Sequence, residues 1–82
     1  MSMHEVTAPM PGTFYCRPQP DERPFVEVGD RVSAGDTVCI IEVMKQFSEV
    51  AAGADGVISD IKVDNEAAVR AGQVLVVIDT GE

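Results

Sequence analysis

The chain contains a short apolar unit that occurs twice in the sequence, and this duplication limits the folds that the chain can adopt. Segment 32–42 (VSAGDTVCIIE) matches segment 69–79 (VRAGQVLVVID) at a separation of 37 positions. Upstream, segment 8–14 (APMPGTF) resembles segment 52–58 (AGADGVI) at a separation of 44 positions. The separations differ by seven, so the first copy carries about seven extra residues, which we place in the proline-rich stretch 16–24. The duplication predicts an approximate two-fold axis within a single domain.

Local patterns predict that the repeated units are β-strands. Short runs rich in Val and Ile alternate with pairs such as Gly29-Asp30 and Gly35-Asp36, which suit turns. No apolar pattern of helical period lasts ten residues, although residues 66–70 are compatible with one helical turn that Gly72 would end. We therefore expect an all-β sandwich or barrel. A chain of 82 residues buries roughly 60% of its unfolded surface, so its aliphatic core is small.

Lys45 stands between two β-rich runs, which predicts a hairpin at about 43–47 with the lysine at its tip. It is one of only two lysines, and the other, Lys62, is interpreted as an ordinary surface residue. The repeat relates the residues that flank this hairpin to the two ends of the chain. Lys45 is therefore expected on the face opposite the termini. An exposed amine is a weak catalyst by itself, but it is open to covalent attachment.

Composition argues against several other function classes. The net charge of −8 disfavours binding to nucleic acid or to an anionic membrane, and no apolar run approaches the roughly 20 residues of a membrane span. Cys16 and Cys39 form no CxxC motif, and the chain has one histidine, so no metal site is predicted. We expect a reduced, cytoplasmic protein, with a structural disulfide as the less favoured alternative. Residues 1–5 are expected to be a flexible tail before a domain that spans 6–80.

The residues around Lys45 resemble a known family. Glu42-Val43-Met44-Lys45 is similar to the Glu-Ala-Met-Lys signature of the biotinyl domain in biotin carboxyl carrier proteins, and the resemblance extends through 8–15, 25–30 and 72–75. It implies a flattened β-barrel of two four-stranded antiparallel sheets, with biotin joined as an amide to Lys45. Around the site, it implies that Glu42, Val43, Met44 and Gln46 are recognised by biotin protein ligase.

The extra residues of the first copy resemble the protruding thumb of bacterial acetyl-CoA carboxylase carriers. The resemblance makes four thumb residues candidates for contact with biotin: Arg17, Pro18, Gln19 and Pro20. Arg17 stands where some carriers have Thr, so a contact through a hydroxyl is not expected here. The residues themselves slightly favour another reading for the arginines, in which Arg17 and Arg23 balance Asp21 and Glu22 on a solvated loop.

The resemblance implies a non-catalytic carrier subunit without a metal. Biotin on Lys45 would carry a carboxyl group between biotin carboxylase and carboxyltransferase, with acetyl-CoA as the favoured acceptor. The nearest alternative is a lipoyl carrier on the same fold, where the lysine usually lies in an Asp-Lys-Ala motif. A second alternative is an unmodified β-barrel interaction module in which Lys45 makes only a salt bridge. An enzyme is disfavoured, because the sequence offers no nucleophile–base pair or metal cluster.

Overall fold

The protein folds into two four-stranded antiparallel sheets. The computed structural model describes residues 2–19 and 21–81 of the chain, and no helix occurs within them. The strands, in chain order, are β1 (Met3–Thr7), β2 (Gly12–Tyr15), β3 (Arg31–Val32), β4 (Thr37–Val43), β5 (Gln46–Ala51), β6 (Gly56–Ile61), β7 (Ala68–Val69) and β8 (Val74–Asp79). Across the described part of the chain, no helix has the length and hydropathy needed to span a membrane.

The two sheets are copies of each other. The first has the strand order β1-β8-β6-β3 and the second has the order β5-β4-β2-β7. Exchanging β1 with β5, β2 with β6, β3 with β7 and β4 with β8 converts one order into the other. Each half of the chain therefore contributes two strands to each sheet. The predicted all-β fold of two four-stranded antiparallel sheets, with its internal repeat, is confirmed.

The hydrophobic core follows the same symmetry, residue by residue. Among residues 2–19 and 21–81, the sixteen buried side chains are all hydrophobic, and they form eight equivalent pairs. Three pairs are separated by 44 positions and five by 37. The pairs are Val6 with Val50, Ala8 with Ala52, Phe14 with Ile58, Val26 with Val63, Val32 with Val69, Val38 with Leu75, Cys39 with Val76, and Ile41 with Ile78. The separation changes between Phe14 and Val26, as the sequence repeat predicted.

Two equivalent glycines allow strands to approach closely at the ends of the core. A Cβ on Gly12 would lie 2.5 Å from the carbonyl oxygen of Glu42 and 2.8 Å from Cγ2 of Ile41. A Cβ on Gly56 would collide in the same way with the carbonyl oxygen of Asp79 and with Cγ2 of Ile78, the latter at 2.7 Å. No side chain fits at either position, because each neighbour is backbone or packed core.

The first copy departs from the symmetry through its long β2–β3 connection. The backbone N–H of Phe25 donates to the carbonyl of Cys16 at 2.8 Å and closes the base of the loop, which we call the thumb (residues 16–24). Inside the thumb, the N–H of Glu22 donates to the carbonyl of Gln19 at 3.1 Å. The insertion therefore begins and ends at nearly the same point.

Two boundaries differ from those expected. Strand β1 begins at Met3, whereas the sequence suggested a flexible tail up to residue 5. Met3, His4 and Glu5 pair with β8, because β8 would otherwise lack a neighbour on that side. Residues 66–70 do not form the helical turn considered above. They contain β7, whose pairing with β2 overrides the local preference for helix.

We predict that Gly12→Ala lowers the free energy of unfolding by about 1–3 kcal/mol, because the added methyl group meets the backbone of β4. Gly35→Ala is the matched control. It has no neighbour within 4 Å and no positive φ, so it should be neutral or stabilising by less than about 1 kcal/mol. Urea unfolding measures both. Equal effects of the two substitutions would contradict the close approach.

Candidate functional site

Lys45 occupies the tip of the β4–β5 hairpin. The two strands pair through Val43 and Gln46, so the connecting turn consists of only Met44 and Lys45. Both turn residues have positive φ, 49° for Met44 and 68° for Lys45. A two-residue hairpin with positive φ at both central positions matches the right-handed twist of its strands. The predicted lysine hairpin is confirmed.

The turn is strained because neither Met nor Lys favours positive φ. Asn and Gly are the usual residues for this conformation, and an ordinary side chain in the left-handed region costs roughly 1–2 kcal/mol. The surrounding ladder, which extends from Thr37–Ala51 to Val43–Gln46, holds the turn in place. Strain of this kind persists where the surrounding structure imposes it, and it is concentrated at functional sites.

The two-fold axis relates the hairpin tip to the place where the chain ends meet. The N–H of Thr80 donates to the carbonyl of Ser2 at 2.9 Å, in the position equivalent to the Val43–Gln46 pair of the hairpin. The tip belongs to the second sheet, whereas the ends belong to the first. The tip and the termini therefore occupy separate, symmetry-related positions.

The side chains around the tip face solvent. Lys45 and Gln46 are exposed, Met44 is 92% exposed and Phe47 is 64% exposed. Within residues 2–19 and 21–81, the one ion pair joins Lys62 Nζ to Asp60 Oδ2 at 2.8 Å. Lys45 therefore differs from Lys62, whose amine is held by a carboxylate. An open amine beside a large exposed apolar side chain suits an encounter with another protein.

Glu42 links the hairpin to β2. Its Oε1 accepts a hydrogen bond of 2.8 Å from the hydroxyl of Tyr15. This bond to the carboxylate, followed by partial burial and then by the negative charges of Glu42 and Glu66, raises the pKa of Tyr15 above its usual 10.0. The Tyr15 ring also lies 6.2 Å from the ring of Phe47, at an angle of 52°. Val43, the residue after Glu42, packs against the core.

The thumb is anchored at its base by hydrogen bonds. The backbone N–H of Cys16 donates to Oδ1 of Asn65 at 3.0 Å, and Nη1 of Arg17 donates to the carbonyl of Glu22 at 3.3 Å. Arg17 is half-buried, and its Nε has no hydrogen-bond partner among the described residues. Pro18 and Gln19 are exposed. Pro20, the fourth candidate, lies outside the described residues.

A cleft of about 300 Å³ separates the thumb from the outer face of the second sheet. Its walls come from three parts of the chain that are distant in sequence. The end of β2 and the adjoining thumb contribute Tyr15, Arg17, Pro18 and Gln19. The hairpin strands contribute Ile40 and Phe47, and the β6–β7 connection contributes Asn65 and Glu66. The structure thus brings three predicted thumb residues close to the hairpin, but Lys45, Met44 and Gln46 do not line the cleft.

Most of the residues that line this cleft were not predicted from the sequence. Tyr15 and Ile40 are opposite each other in the β2–β4 ladder and follow the buried Phe14–Ile41 pair, so they lie on the outer face of the sheet. An aromatic residue at an outward position was the available signal. Asn65 and Glu66 gave no signal, because only the β2–β7 pairing brings their connection to the thumb.

Comparison with known proteins places this geometry in a family. The family Biotin_lipoyl, described as "Biotin-requiring enzyme", matches residues 4–78. The chain belongs to the Biotin_lipoyl family. Its structure is similar to that of urea carboxylase from Kluyveromyces lactis, with a TM-score of 0.80 and 33% identity over 96% of this chain and 6% of that one.

Biotin_lipoyl relatives with carrier names match most of the chain. The biotin carboxyl carrier protein of acetyl-CoA carboxylase from Porphyra purpurea is 47% identical over 92% of this chain and 48% of its own length. The protein of the same name from a Nostoc species is 51% identical over 87% of this chain and 39% of its own length. The one from Haemophilus influenzae is 42% identical over 96% of this chain and 51% of its own length. The chain spans about half the length of these curated relatives. The resemblance found in the sequence is confirmed.

We predict that the single tyrosine titrates above its reference pKa of about 10 and that Glu42→Gln lowers the midpoint, because the charged acceptor is removed. The folded protein favours the neutral phenol. The contribution of the neutral Tyr15 to stability is thus present below about pH 10 and lost as the pH rises further. Ultraviolet absorbance of tyrosinate follows the titration without interference from Trp. Glu66→Gln, the matched control, should lower the midpoint less, and equal effects would contradict the Tyr15–Glu42 bond.

Proposed function

We propose that this domain carries biotin as an amide on Lys45 and serves as the biotin carboxyl carrier of a multisubunit acyl-CoA carboxylase. The observation that carries the proposal is the strained two-residue turn, which presents an exposed lysine beside the exposed Met44 in a Biotin_lipoyl chain. The names of the relatives support biotin as the cargo and acetyl-CoA carboxylase as the complex.

The residues present fit an attached biotin. An amide needs a primary amine with free space around it, and Lys45 is exposed at a tip formed by two residues. Its four-carbon stem adds reach and flexibility to the arm. When attached, biotin carries a carboxyl group between partner active sites. A short tether holds such a group at an effective concentration in the mM range, so the carrier needs to supply position and mobility.

The proposed partners are biotin carboxylase, carboxyltransferase and biotin protein ligase. For the ligase, we propose that Met44 supplies an apolar contact next to the target amine, with Glu42, Val43 and Gln46 as its neighbours. Glu42 and Val43 are half-buried and fix the end of β4, whereas Met44 and Gln46 are exposed. For the thumb, we propose that Arg17, Pro18 and Gln19 contact the carried group. Their place in the cleft beside Phe47 supports this role.

The acceptor and the setting complete the proposal. Acetyl-CoA is favoured by the thumb and by the names of the relatives. A reduced, cytoplasmic setting stays a prediction, in agreement with two cysteines that are free thiols in the structure. With a net charge of −8, we expect neither nucleic acid nor membrane among the partners.

We predict that co-expression with biotin ligase adds the mass of one biotinyl group to the protein. Lys45→Arg should abolish the addition, because arginine keeps the positive charge but lacks the acylated amine. Lys62→Arg is the matched control and should leave the addition unchanged, since Lys62 is the only other lysine and is paired with Asp60. Intact-mass spectrometry measures all three proteins.

The same measurement separates the alternatives. A lipoyl-sized addition on Lys45 would favour the lipoyl carrier. No addition, in the presence of active ligase and a biotinylated reference protein, would favour the unmodified interaction module. Either result would contradict the proposal.

We also predict that Met44→Ala lowers kcat/KM for ligase-catalysed biotinylation by roughly tenfold to a hundredfold. Burying a Met side chain contributes about 1.5–3 kcal/mol, and Met44 is 92% exposed in the free domain. The free energy of unfolding should change by less than about 0.5 kcal/mol. Gln46→Ala, on the other side of Lys45, is the control and should have the smaller kinetic effect. Similar rates for the two variants would exclude Met44 as a specific contact.

A further inference from the structure

Extending the β2–β4 ladder by one step places Cys16, at the base of the thumb, opposite Cys39. We propose that Cys16 and Cys39 form a thiol–disulfide exchange site that closes an intramolecular disulfide in reaction with a small disulfide of the glutathione class. The proposal does not depend on whether Lys45 carries biotin.

The register of the second sheet places the two cysteines in opposition. Strands β2 and β4 pair through Phe14–Ile41 and Tyr15–Ile40. One more step along this antiparallel ladder places Cys16 opposite Cys39. A structural disulfide was the less favoured expectation from the sequence, because residues 16 and 39 are far apart along the chain and only the pairing brings them together.

The backbone hydrogen bonds identify the kind of pair. The N–H of Cys16 donates to Asn65 and its carbonyl accepts from Phe25, so neither group points towards β4. Cys16 and Cys39 therefore occupy a non-hydrogen-bonded position, where opposite Cα atoms are about 4.5 Å apart. Disulfides span Cα separations of about 4.4–6.8 Å. The strands thus hold the two residues at a separation that a disulfide can bridge.

Both side chains point to the core face. The preceding core-facing pair, Phe14 and Ile41, is fully buried, and the next core-facing pair is two residues further along the ladder. Cys39 is fully buried, whereas Cys16 is half-buried and packs against the same core. Burial, followed by the neighbouring Cys16, raises the pKa of Cys39 to about 12. The influence of one cysteine on the other agrees with their opposition.

The two thiols have different parts in the exchange. The accessible Cys16 attacks one sulfur of the glutathione disulfide, whose S–S bond breaks as one glutathione leaves as a thiol. The Cys39 thiolate then attacks Sγ of Cys16 and displaces the second glutathione. Two protein thiols lose two protons and two electrons, and the glutathione disulfide gains them as two thiols. Because burial raises the pKa of Cys39 to about 12, few Cys39 thiolates are present, so closure is expected to be the slow step and to accelerate as the pH rises.

Closure would fix the base of the thumb to the strand that leads to Lys45. Sγ of Cys16 now lies 3.5 Å from Oδ1 of Asn65, and this weak bond would be lost. The backbone bonds of Cys16 to Asn65 and Phe25 would remain. Amide exchange at Phe25 should therefore slow in the oxidised protein. Cytosolic disulfides are usually transient, which fits a reversible site better than a permanent bridge.

The test incubates the reduced 82-residue protein with glutathione disulfide at about pH 8.5, near the reference pKa of a free thiol. We expect the intact mass to fall by two hydrogens. Trypsin separates the cysteines by cleavage after Arg31, because Arg17 and Arg23 are each followed by proline. In protein with an unmodified Lys45, peptides 1–31 and 32–45 should therefore remain linked until they are reduced.

Two variants serve as controls. Cys39→Ser should stop at a glutathione adduct on Cys16, and Cys16→Ser should show no closure. The crosslinked protein should melt roughly 10 °C above the reduced form, because its unfolded chain is restricted. A glutathione adduct on the unsubstituted protein that never closes, a disulfide-linked dimer or an unreactive protein would overturn the proposal. A crosslinked form that melts below the reduced form would overturn the claim that the native strands already position the pair.

Discussion

The fold depends on the burial of eight pairs of equivalent apolar side chains between two sheets of the same design. Each half of the chain contributes one member of every pair, so neither half can enclose its own core. Hydrophobic burial contributes about 25 cal/mol per Å² of apolar surface, and a domain of this size has little surplus over the cost of chain ordering. Because of the symmetry, each strand contributes buried residues equivalent to those of its counterpart in the other sheet. It also explains why Gly12 and Gly56 occur at equivalent positions, where one strand meets the backbone of another.

The same symmetry positions the hairpin. Strands β4 and β5 continue past the core and pair up to Val43 and Gln46, which leaves only Met44 and Lys45 to make the turn. Their positive φ values are imposed by the ladder, since the local sequence does not favour them. At the equivalent position in the other half, the chain ends meet through Ser2 and Thr80. The Met44–Lys45 turn and the meeting of Ser2 with Thr80 thus arise from one structural element used twice.

The sequence repeat was sufficient to predict an all-β fold with an internal two-fold axis, whereas the two four-stranded sheets were implied by the family resemblance. The offsets of 37 and 44 identified the two copies and located the insertion, and the break at Lys45 identified the hairpin. The β1 boundary and β7 could not be read in this way. Both depend on pairing with distant strands, namely β8 and β2, rather than on local propensity. The cleft and the Cys16–Cys39 opposition escaped prediction for the same reason, since each joins residues that only the register brings together.

We propose that the turn, and not merely the presence of a lysine near it, makes the amine of Lys45 a target for biotin ligase. Exchanging two neighbours, as Lys45→Gln with Gln46→Lys, tests this claim while keeping composition and net charge constant. Residue 46 is the first residue of β5, and its backbone is held in the ladder by Val43. After co-expression with biotin ligase, intact-mass spectrometry should show one biotinyl group on the original protein and none on the exchanged one. Equal biotinylation of both proteins, each with a native fold, would show that the position of the lysine in the turn is not required.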